Sequence, residues 1–256
     1  MNYFNPRNSA ERYSIGRPDF HSNTINHIKE NLHIDRKLDR ALDIACGTGL
    51  STKALLDIAI EVYGTDTSQE MLNLALEKDK IHYQIASAEQ QPFTDNTFDL
   101  ITVSSGVHWF DIDKFLMEAN RLLKSKSWLV LYDNFFISEI VGKKDFSNWF
   151  PEVYKKKFPS PPRNNTYLWT NENLFIKNFN LVTEERFKNT VAFSKKQLAL
   201  YFTTQSNIIA AVEKNETTYE EVENWLDREL SPFFDNDFQT QEINYGNWIK
   251  YIQRLN

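Results

Sequence analysis

The chain is poor in cysteine and has no long apolar run. Its one cysteine, Cys46, can form neither an internal disulfide nor a cysteine-rich metal site, so we expect no structural disulfide and no bound metal. No apolar run is long enough to cross a bilayer, and residues 1–17 are polar and lack the apolar core of a signal peptide. We therefore expect a cytoplasmic protein without a membrane partner.

Positive charge is also scarce: the chain has 29 Lys and Arg residues against 35 Asp and Glu residues, so its formal net charge is −6. Proteins that bind nucleic acid depend on neutralising phosphates, so we expect no nucleic-acid partner. The 256 residues are 41% hydrophobic and 25% charged, which allows a sizeable buried core and argues against disorder. These numbers leave the oligomeric state open.

The stretch from Ala41 to Thr52, ALDIACGTGLST, is typical of a short buried strand that turns on two glycines into a helix. Glycine allows backbone amides to approach a ligand closely, because any Cβ would block the approach. Thr52 stands where the third glycine of a dinucleotide-binding G-x-G-x-x-G pattern would be. This difference disfavours an NAD site.

From Arg40 onward, strand and helix patterns alternate, which is typical of a parallel sheet wrapped by helices. The predicted strands are 40–45, 61–65, 82–85, 100–104 and 128–133. The predicted helices are 18–33, 50–60, 68–77 and 112–123. Open parallel sheets bind ligands at the carboxyl ends of their strands, so the residues just past each strand should face one crevice.

Polar residues follow three of these strands. Asp66 follows the second strand, at about the distance from the glycine loop at which nucleotide-binding folds place a ribose-binding carboxylate. Ser87-Ala88-Glu89 follows the third strand, and the run from Ser104 to Asp111 follows the fourth. Asp66 alone is equally typical of a helix N-terminal acid beside the potential cap Ser68. The joint occurrence of these residues at successive strand ends favours a bound nucleoside.

The run from Leu42 to Asp133 resembles the class I S-adenosylmethionine-dependent methyltransferases. The resemblance is carried by LDIACGTG at 42–49, GTDTSQEML at 64–72 and ASAEQQPF at 86–93. Two departures are Ala45, which replaces the first glycine of the first motif, and SKS at 125–127, which replaces a Pro-Gly-Gly turn. The runs 105–111 and 13–18 resemble the small-molecule branch that includes trans-aconitate methyltransferases.

The resemblance implies an α/β fold: a Rossmann-like, mostly parallel seven-stranded sheet with helices on both faces. It implies S-adenosyl-L-methionine as cofactor and S-adenosyl-L-homocysteine as product. In the implied site, the Gly47 to Gly49 backbone lines the methionine part, Asp66 holds the ribose hydroxyls and Met71 packs on adenine. Ala88 with Glu89 reads the adenine edge. The other cofactor-binding residues that we expect are Asp43, Ala45, Thr67 and Ser104.

We expect a single methyltransferase domain over residues 1–256. Its expected parts are an N-terminal cover segment (1–34), a cofactor-binding core (35–133), a substrate-cap region with a late core strand (134–236), and a closing strand and tail (237–256). Aromatic residues from Phe135 to Phe158 accompany a predicted helix. A strand over 181–193, helices over 194–204, 207–213 and 219–230, and a strand over 238–252 follow. The helical cap inserted near the C-terminus should choose the acceptor.

Methyl transfer from a sulfonium is an in-line displacement, so positioning and desolvation supply much of the acceleration. A carboxylate acceptor is already anionic at neutral pH, whereas a phenol, amine or carbon acid can need a base. His108 is the one histidine that the motif places at a strand end; a catalytic and a structural role both stay open. The expected substrate-binding residues are Tyr13, Arg17 and Trp109, and an acidic acceptor would add Arg163 and Tyr167 as candidates.

We therefore predict an S-adenosylmethionine-dependent methyltransferase that acts on a small organic acceptor, with carboxylates as candidates. One alternative is a non-catalytic S-adenosylmethionine-binding protein, which the glycine loop and Asp66 fit equally well. A less favoured alternative is an NAD-dependent oxidoreductase. A nucleic-acid or protein methyltransferase is the runner-up among enzymes. The run SSGV at 104–107 stands where an Asn/Asp-Pro-Pro-aromatic motif would indicate amino methylation of bases.

Overall fold

The computed structural model describes residues 7–162, 166–236 and 238–256. Seven strands form one sheet in the order β3-β2-β1-β4-β5-β7-β6. The strands are β1 (Leu38–Ile44), β2 (Ala59–Asp66), β3 (Ile81–Ile85), β4 (Phe98–Ser104), β5 (Leu123–Ile140), β6 (Phe179–Ser194) and β7 (Thr240–Arg254). This topology confirms the predicted Rossmann-like, mostly parallel seven-stranded sheet.

The first five strands pair in parallel, with β1 at the centre between β2 and β4. Strand β7 runs the other way. At one end of β7 the Val141 N–H donates to the Glu242 carbonyl at 2.9 Å, and at the other end Gln253 donates to the Lys126 carbonyl at 3.0 Å. The expected closing strand is therefore present and antiparallel to β5.

In the described part of the chain, two helices precede β1 and the others lie between strands. They are α1 (Arg7–Gly16), α2 (His21–Asn31), α3 (Leu50–Leu55), α4 (Gln69–Asn73), α5 (Ile112–Leu122), α6 (Lys144–Trp149), α7 (Lys155–Lys157), α8 (Asn171–Phe175), α9 (Lys195–Thr203), α10 (Ser206–Glu213) and α11 (Tyr219–Leu230). A π-helical turn, Phe150–Tyr154, joins α6 to α7. Helices α9 to α11 lie between β6 and β7, as the sequence predicts.

The chain divides into two compact units. The sheet unit comprises Asp19–Asn134, Arg163–Phe187 and Asn247–Asn256. The aromatic unit comprises Met1–Pro18, Phe135–Pro162 and Lys188–Gly246. Strands β5, β6 and β7 each contain residues of both units.

The core of the sheet unit has two layers because successive side chains of a strand point to opposite faces. In β4, Ile101 and Val103 pack with Phe115 and other apolar residues of α5, whereas Leu100 packs with Ile25 and other residues of α2 and α3. Helix α5 begins at Asp111, whose carboxylate accepts the Lys114 N–H. Its apolar residues then recur every three or four positions and stay buried.

Aromatic rings form the core of the aromatic unit. The Phe136 ring lies within 6.0 Å of five other rings: Phe146, Phe150, Tyr201, Phe202 and Tyr245. Capping boxes begin α9 at Ser194 and α11 at Thr218. Helix α1 packs here through an ion pair from Arg12 to Glu223.

Several predicted boundaries were wrong. Helix α3 ends at Leu55 and not at residue 60, because the amides of the next three residues bond back to carbonyls three positions earlier and form a turn. Helix α4 ends at Asn73 and not at residue 77, and α2 begins at His21 and not at Pro18. Helix α1 was not predicted.

Strand β5 is the largest correction. Phe135 and Phe136, which the sequence placed with a helix, belong to this strand of 18 residues. The run 125–127, which was expected to form a turn, also lies in β5. There Lys126 has a φ of 62°, and the pairing with β4 shifts register between Phe98 and Leu100. The strand therefore contains a bulge-like irregularity at the run that the sequence pattern predicts to be a turn.

Candidate cofactor site

The glycine loop joins β1 to α3 in a left-handed backbone. Ala45, Gly47 and Gly49 have φ values of 59°, 55° and 77°. The Cys46 N–H donates to the Thr65 carbonyl of β2 at 3.0 Å, and the Gly49 N–H donates to the Cys46 carbonyl at 3.0 Å. Ala45 keeps its Cβ in this conformation, which costs about 1–2 kcal/mol relative to the usual right-handed region.

The two glycines of this loop serve different purposes. A Cβ on Gly49 would clash with the Tyr83 hydroxyl oxygen, so packing inside the sheet unit requires glycine there. A Cβ on Gly47 would have one neighbouring side chain, Met71, with its Cε at 3.7 Å. The backbone at Gly47 therefore stays open on the side that a Cβ would fill, while Met71 lies beside it.

Asp43 lies directly before the loop and is fully buried. Its carboxylate accepts hydrogen bonds from the hydroxyls of Ser51 (2.6 Å), Thr52 (2.8 Å) and Thr102 (3.0 Å). Burial raises the pKa of Asp43 to about 6, although these hydroxyls oppose the shift. The side chain thus binds α3 and β4 through these hydroxyls, and its contact with a cofactor stays a prediction. Thr52, which replaces a third glycine, supplies one of these bonds.

Asp66 lies at the carboxyl end of β2 and is half-buried. Its Oδ2 accepts the Gly47 N–H at 2.9 Å, and its Oδ1 accepts the Ser68 N–H at 2.9 Å. Burial raises the pKa of the carboxyl, and these backbone bonds oppose the shift. A third backbone amide, that of Thr67, also hydrogen-bonds the carboxylate, so acceptor capacity remains for one further donor. The structure therefore brings Asp66, Gly47 and the buried Met71 together, while Thr67 beside them is exposed.

The ends of β3 and β4 meet through Glu89. Its Oε1 accepts the Asp111 N–H at 2.9 Å, and Ala88 beside it is buried against the core. After β4, a Cβ on Gly106 would lie 2.8 Å from the Cβ of Ala45, so this loop touches the loop after β1. Ser104, the last residue of β4, is half-buried. The strand ends that the sequence predicted to be neighbours are therefore in contact.

His108 and Trp109 lie in the short 3-10 helix Val107–Trp109. Their ring centres are 4.6 Å apart. His108 is half-buried and Trp109 is 42% exposed, so neither ring is locked in the core. Their catalytic and substrate-binding roles remain predictions.

Tyr13 and Arg17 lie together in the aromatic unit. The Arg17 guanidinium carbon is 4.6 Å from the centre of the Tyr13 ring and 5.2 Å from that of Tyr201. Its Nη2 donates to the Thr204 carbonyl at 3.0 Å. Tyr201 was not predicted for this group. Of the two other candidates, Tyr167 belongs to the sheet unit, and Arg163 is not among the described residues.

Sequence reasoning missed His21 and Tyr132 in the sheet unit. His21 Nδ1 is 3.0 Å from the Tyr132 hydroxyl, and Tyr132 lies in register with Ser104. Burial lowers the pKa of His21 to about 4. No motif marks this pair, because the two residues are far apart in sequence and meet through packing of α2 on the sheet. The hydroxyls around Asp43 carried a readable signal, since Ser51 and Thr52 lie in the first turn of α3, directly after the loop.

None of the described helices combines the length and the apolar character needed to cross a bilayer. Within 7–162, 166–236 and 238–256, no group of three or more His, Cys, Asp or Glu side chains is placed to hold a metal ion.

This chain is similar to known methyltransferases in both fold and sequence. The fold is similar to that of a protein from Anaeromyxobacter dehalogenans assigned as a type II methyltransferase, with a TM-score of 0.74, 16% identity and coverage of 93% of this chain and 98% of the other. Residues 42–131 match the model of the methyltransferase domain family. Residues 42–131 are therefore similar to a methyltransferase domain, and the structural likeness shows that the fold is shared over most of the chain.

Two curated relatives extend the comparison. A Dictyostelium discoideum protein assigned as a methyltransferase is 27% identical over 71% of this chain and 65% of its own length. A demethylmenaquinone methyltransferase of Staphylococcus haemolyticus is 30% identical over 58% of this chain and 66% of its own length. The chain thus spans slightly less than two thirds of each relative.

Proposed function

We propose that the protein is an S-adenosylmethionine-dependent methyltransferase that acts on a small organic acceptor by in-line methyl transfer. The observation that carries the proposal is the Asp66 carboxylate, which accepts the Gly47 amide at 2.9 Å and so joins the second motif to the first. The match of residues 42–131 to the methyltransferase domain model supports the same assignment.

The residues at the strand ends fit this cofactor. The half-buried Asp66 carboxylate has acceptor capacity left for a ribose hydroxyl, and Met71 offers an apolar surface beside it. The open backbone at Gly47 suits close approach of the amino-acid part. Ala88 and Glu89 would face the adenine. When bound, S-adenosylmethionine supplies an electrophilic methyl group on a sulfonium, whose positive charge the nearby carboxylates favour.

Arg17 supports an acidic acceptor. Its guanidinium lies over two tyrosine rings, Tyr13 and Tyr201, which hold it in place by cation–π contacts. A guanidinium binds a carboxylate through two parallel hydrogen bonds. A carboxylate acceptor needs no proton removed, whereas for an acceptor with an O–H or N–H group His108 would take the proton.

The first experiment is calorimetric titration with S-adenosylmethionine, S-adenosylhomocysteine and NAD in parallel. Binding of the first two without the third supports the proposal, and binding of NAD alone would overturn it. Methyl transfer is then measured with two acceptor sets: small carboxylic acids, and a demethylmenaquinone, the compound in the name of the Staphylococcus relative. Binding of the cofactor without turnover in either set would favour the non-catalytic S-adenosylmethionine-binding alternative.

A further inference from the structure

His21 begins α2 and reaches from that helix to the sheet. Its backbone N–H donates to Asp19 Oδ1 at 3.0 Å, which fixes the position of the first helical turn. Its imidazole Nδ1 lies 3.0 Å from the hydroxyl of Tyr132, and the two rings meet edge to face with centres 5.9 Å apart. Tyr132 is 1% exposed, so its hydroxyl depends on protein partners for its hydrogen bonds.

Tyr132 in turn contacts the end of β4. It lies in register with Ser104, and the Ser104 side chain hydrogen-bonds its hydroxyl. The Tyr132 carbonyl also accepts the Ser105 N–H at 2.9 Å. Both the side chain and the backbone of Tyr132 therefore hold the segment that enters the candidate cofactor site.

The charge states favour one direction for these bonds. Burial lowers the pKa of His21 to about 4, partly opposed by Asp19, and burial raises the pKa of Tyr132. At neutral pH the imidazole is therefore neutral and the phenol keeps its proton. Tyr132 can then donate to His21 Nδ1 and accept from Ser104.

We propose that His21 is a positioning residue of the cofactor site, which holds Tyr132 and, through it, Ser104 in the arrangement that binds the cofactor. The inference rests on the proposed function, because it assigns His21 to the same site. It also explains why a polar side chain stands at the first position of α2, where the helix packs on the sheet.

The test compares three variants with wild type by calorimetric titration with S-adenosylhomocysteine at pH 7.5, with urea unfolding of each unliganded protein. His21→Leu removes the acceptor, and His21→Asn retains one close to the Nδ1 position. Ile25→Val is the control, because Ile25 is a buried residue of α2 outside the hydrogen-bond chain. We expect His21→Leu to weaken binding about tenfold, as for one lost hydrogen bond, while His21→Asn stays within about threefold of wild type.

A further pair of variants tests the route through Tyr132. Tyr132→Phe should weaken binding as much as His21→Leu, and the double variant should bind no more weakly than either single variant. Equal affinity of His21→Leu and wild type would overturn the inference alone. So would a loss of affinity in Ile25→Val or His21→Asn as large as that in His21→Leu. Failure of wild type to bind S-adenosylhomocysteine would instead overturn the proposed function, and the inference with it.

Discussion

At the scale of single residues, two carboxylates on neighbouring strands have different partners. Asp43 is fully buried and accepts three hydroxyl hydrogen bonds, so its lone pairs are engaged within the protein. Asp66 accepts three backbone amides, but it is only half-buried, so a ligand can reach its carboxylate. The difference in burial assigns Asp43 to the framework of the loop and makes Asp66 the candidate for ligand contact.

Substitution of Asp66 tests that assignment. We expect Asp66→Ala to weaken binding of S-adenosylmethionine by about 2 kcal/mol, because charge-assisted hydrogen bonds to the ribose would be lost. Calorimetric titration measures the change, and Asp57→Ala, which removes an exposed carboxylate, serves as the control. Unchanged affinity in Asp66→Ala would remove this residue from the site.

His108 requires a measurement that separates binding from chemistry. If His108 takes a proton from the acceptor, His108→Ala should lower kcat by about 100-fold and change the cofactor Kd by less than about twofold. Steady-state rates and calorimetry on the same preparation give both numbers. Activity equal to wild type would assign the ring to packing against Trp109.

At the scale of elements, the glycine loop and β3 constrain each other. Gly49 combines a φ of 77° with close approach of Tyr83, which stands on β3. Backbone strain and steric conflict therefore act at the same residue. Position 49 therefore requires glycine, because the Tyr83 ring occupies the volume that a side chain would need.

A double-mutant cycle separates the two effects. We expect Gly49→Ala to destabilise the protein by about 3 kcal/mol, of which left-handed strain accounts for about 1–2 kcal/mol. In a Tyr83→Ala background the steric part should vanish, so the same substitution should then cost only the strain. Urea unfolding of the four proteins measures this, and equal costs in both backgrounds would contradict the steric argument.

At the scale of the whole molecule, two buried groups have opposite effects on stability below neutral pH. The pKa of His21 falls from 6.5 to about 4 on folding, so its contribution to stability is complete above pH 6.5 and is lost as the pH falls toward 4. The pKa of Asp43 rises from 3.8 to about 6, so its contribution is present at low pH and is lost as the pH rises through 6. Between about pH 4 and 6 the two contributions oppose each other.

Substituting His21 or Asp43 removes its contribution to the pH dependence of stability and leaves that of the other residue. Relative to wild type, His21→Asn should become more stable as the pH falls from 6.5 to 4.5, and Asp43→Asn should become less stable, each by on the order of 2 kcal/mol. Urea unfolding at four pH values between 4.5 and 7.5 measures both trends. Parallel curves for all three proteins would show that neither group titrates differently in the folded and unfolded states.

The local sequence pattern determined the order of strands and helices in the core and the polar residues at the strand ends. The alternation of strands and helices from residue 40 to 133 and the strand ends carrying Asp66 and Glu89 are properties of neighbouring residues, so they were readable without the fold. The capping boxes of α9 and α11 are equally local, because each bond spans three residues. The nucleoside-binding hypothesis follows from these patterns and needs no distant contact.

Tertiary structure alone decided the remainder, because the contacts concerned join residues far apart in the chain. Helix α1 is polar by itself and is held by Arg12 on Glu223 and Tyr219, more than 200 positions away. The extension of β5 through Phe135 and Phe136 depends on pairing with β7, whose sequence comes last. The assignment of Asp43 to internal hydroxyls and the His21–Tyr132 contact arise in the same way. Burial and long-range pairing are properties of the folded chain, and no local pattern encodes them.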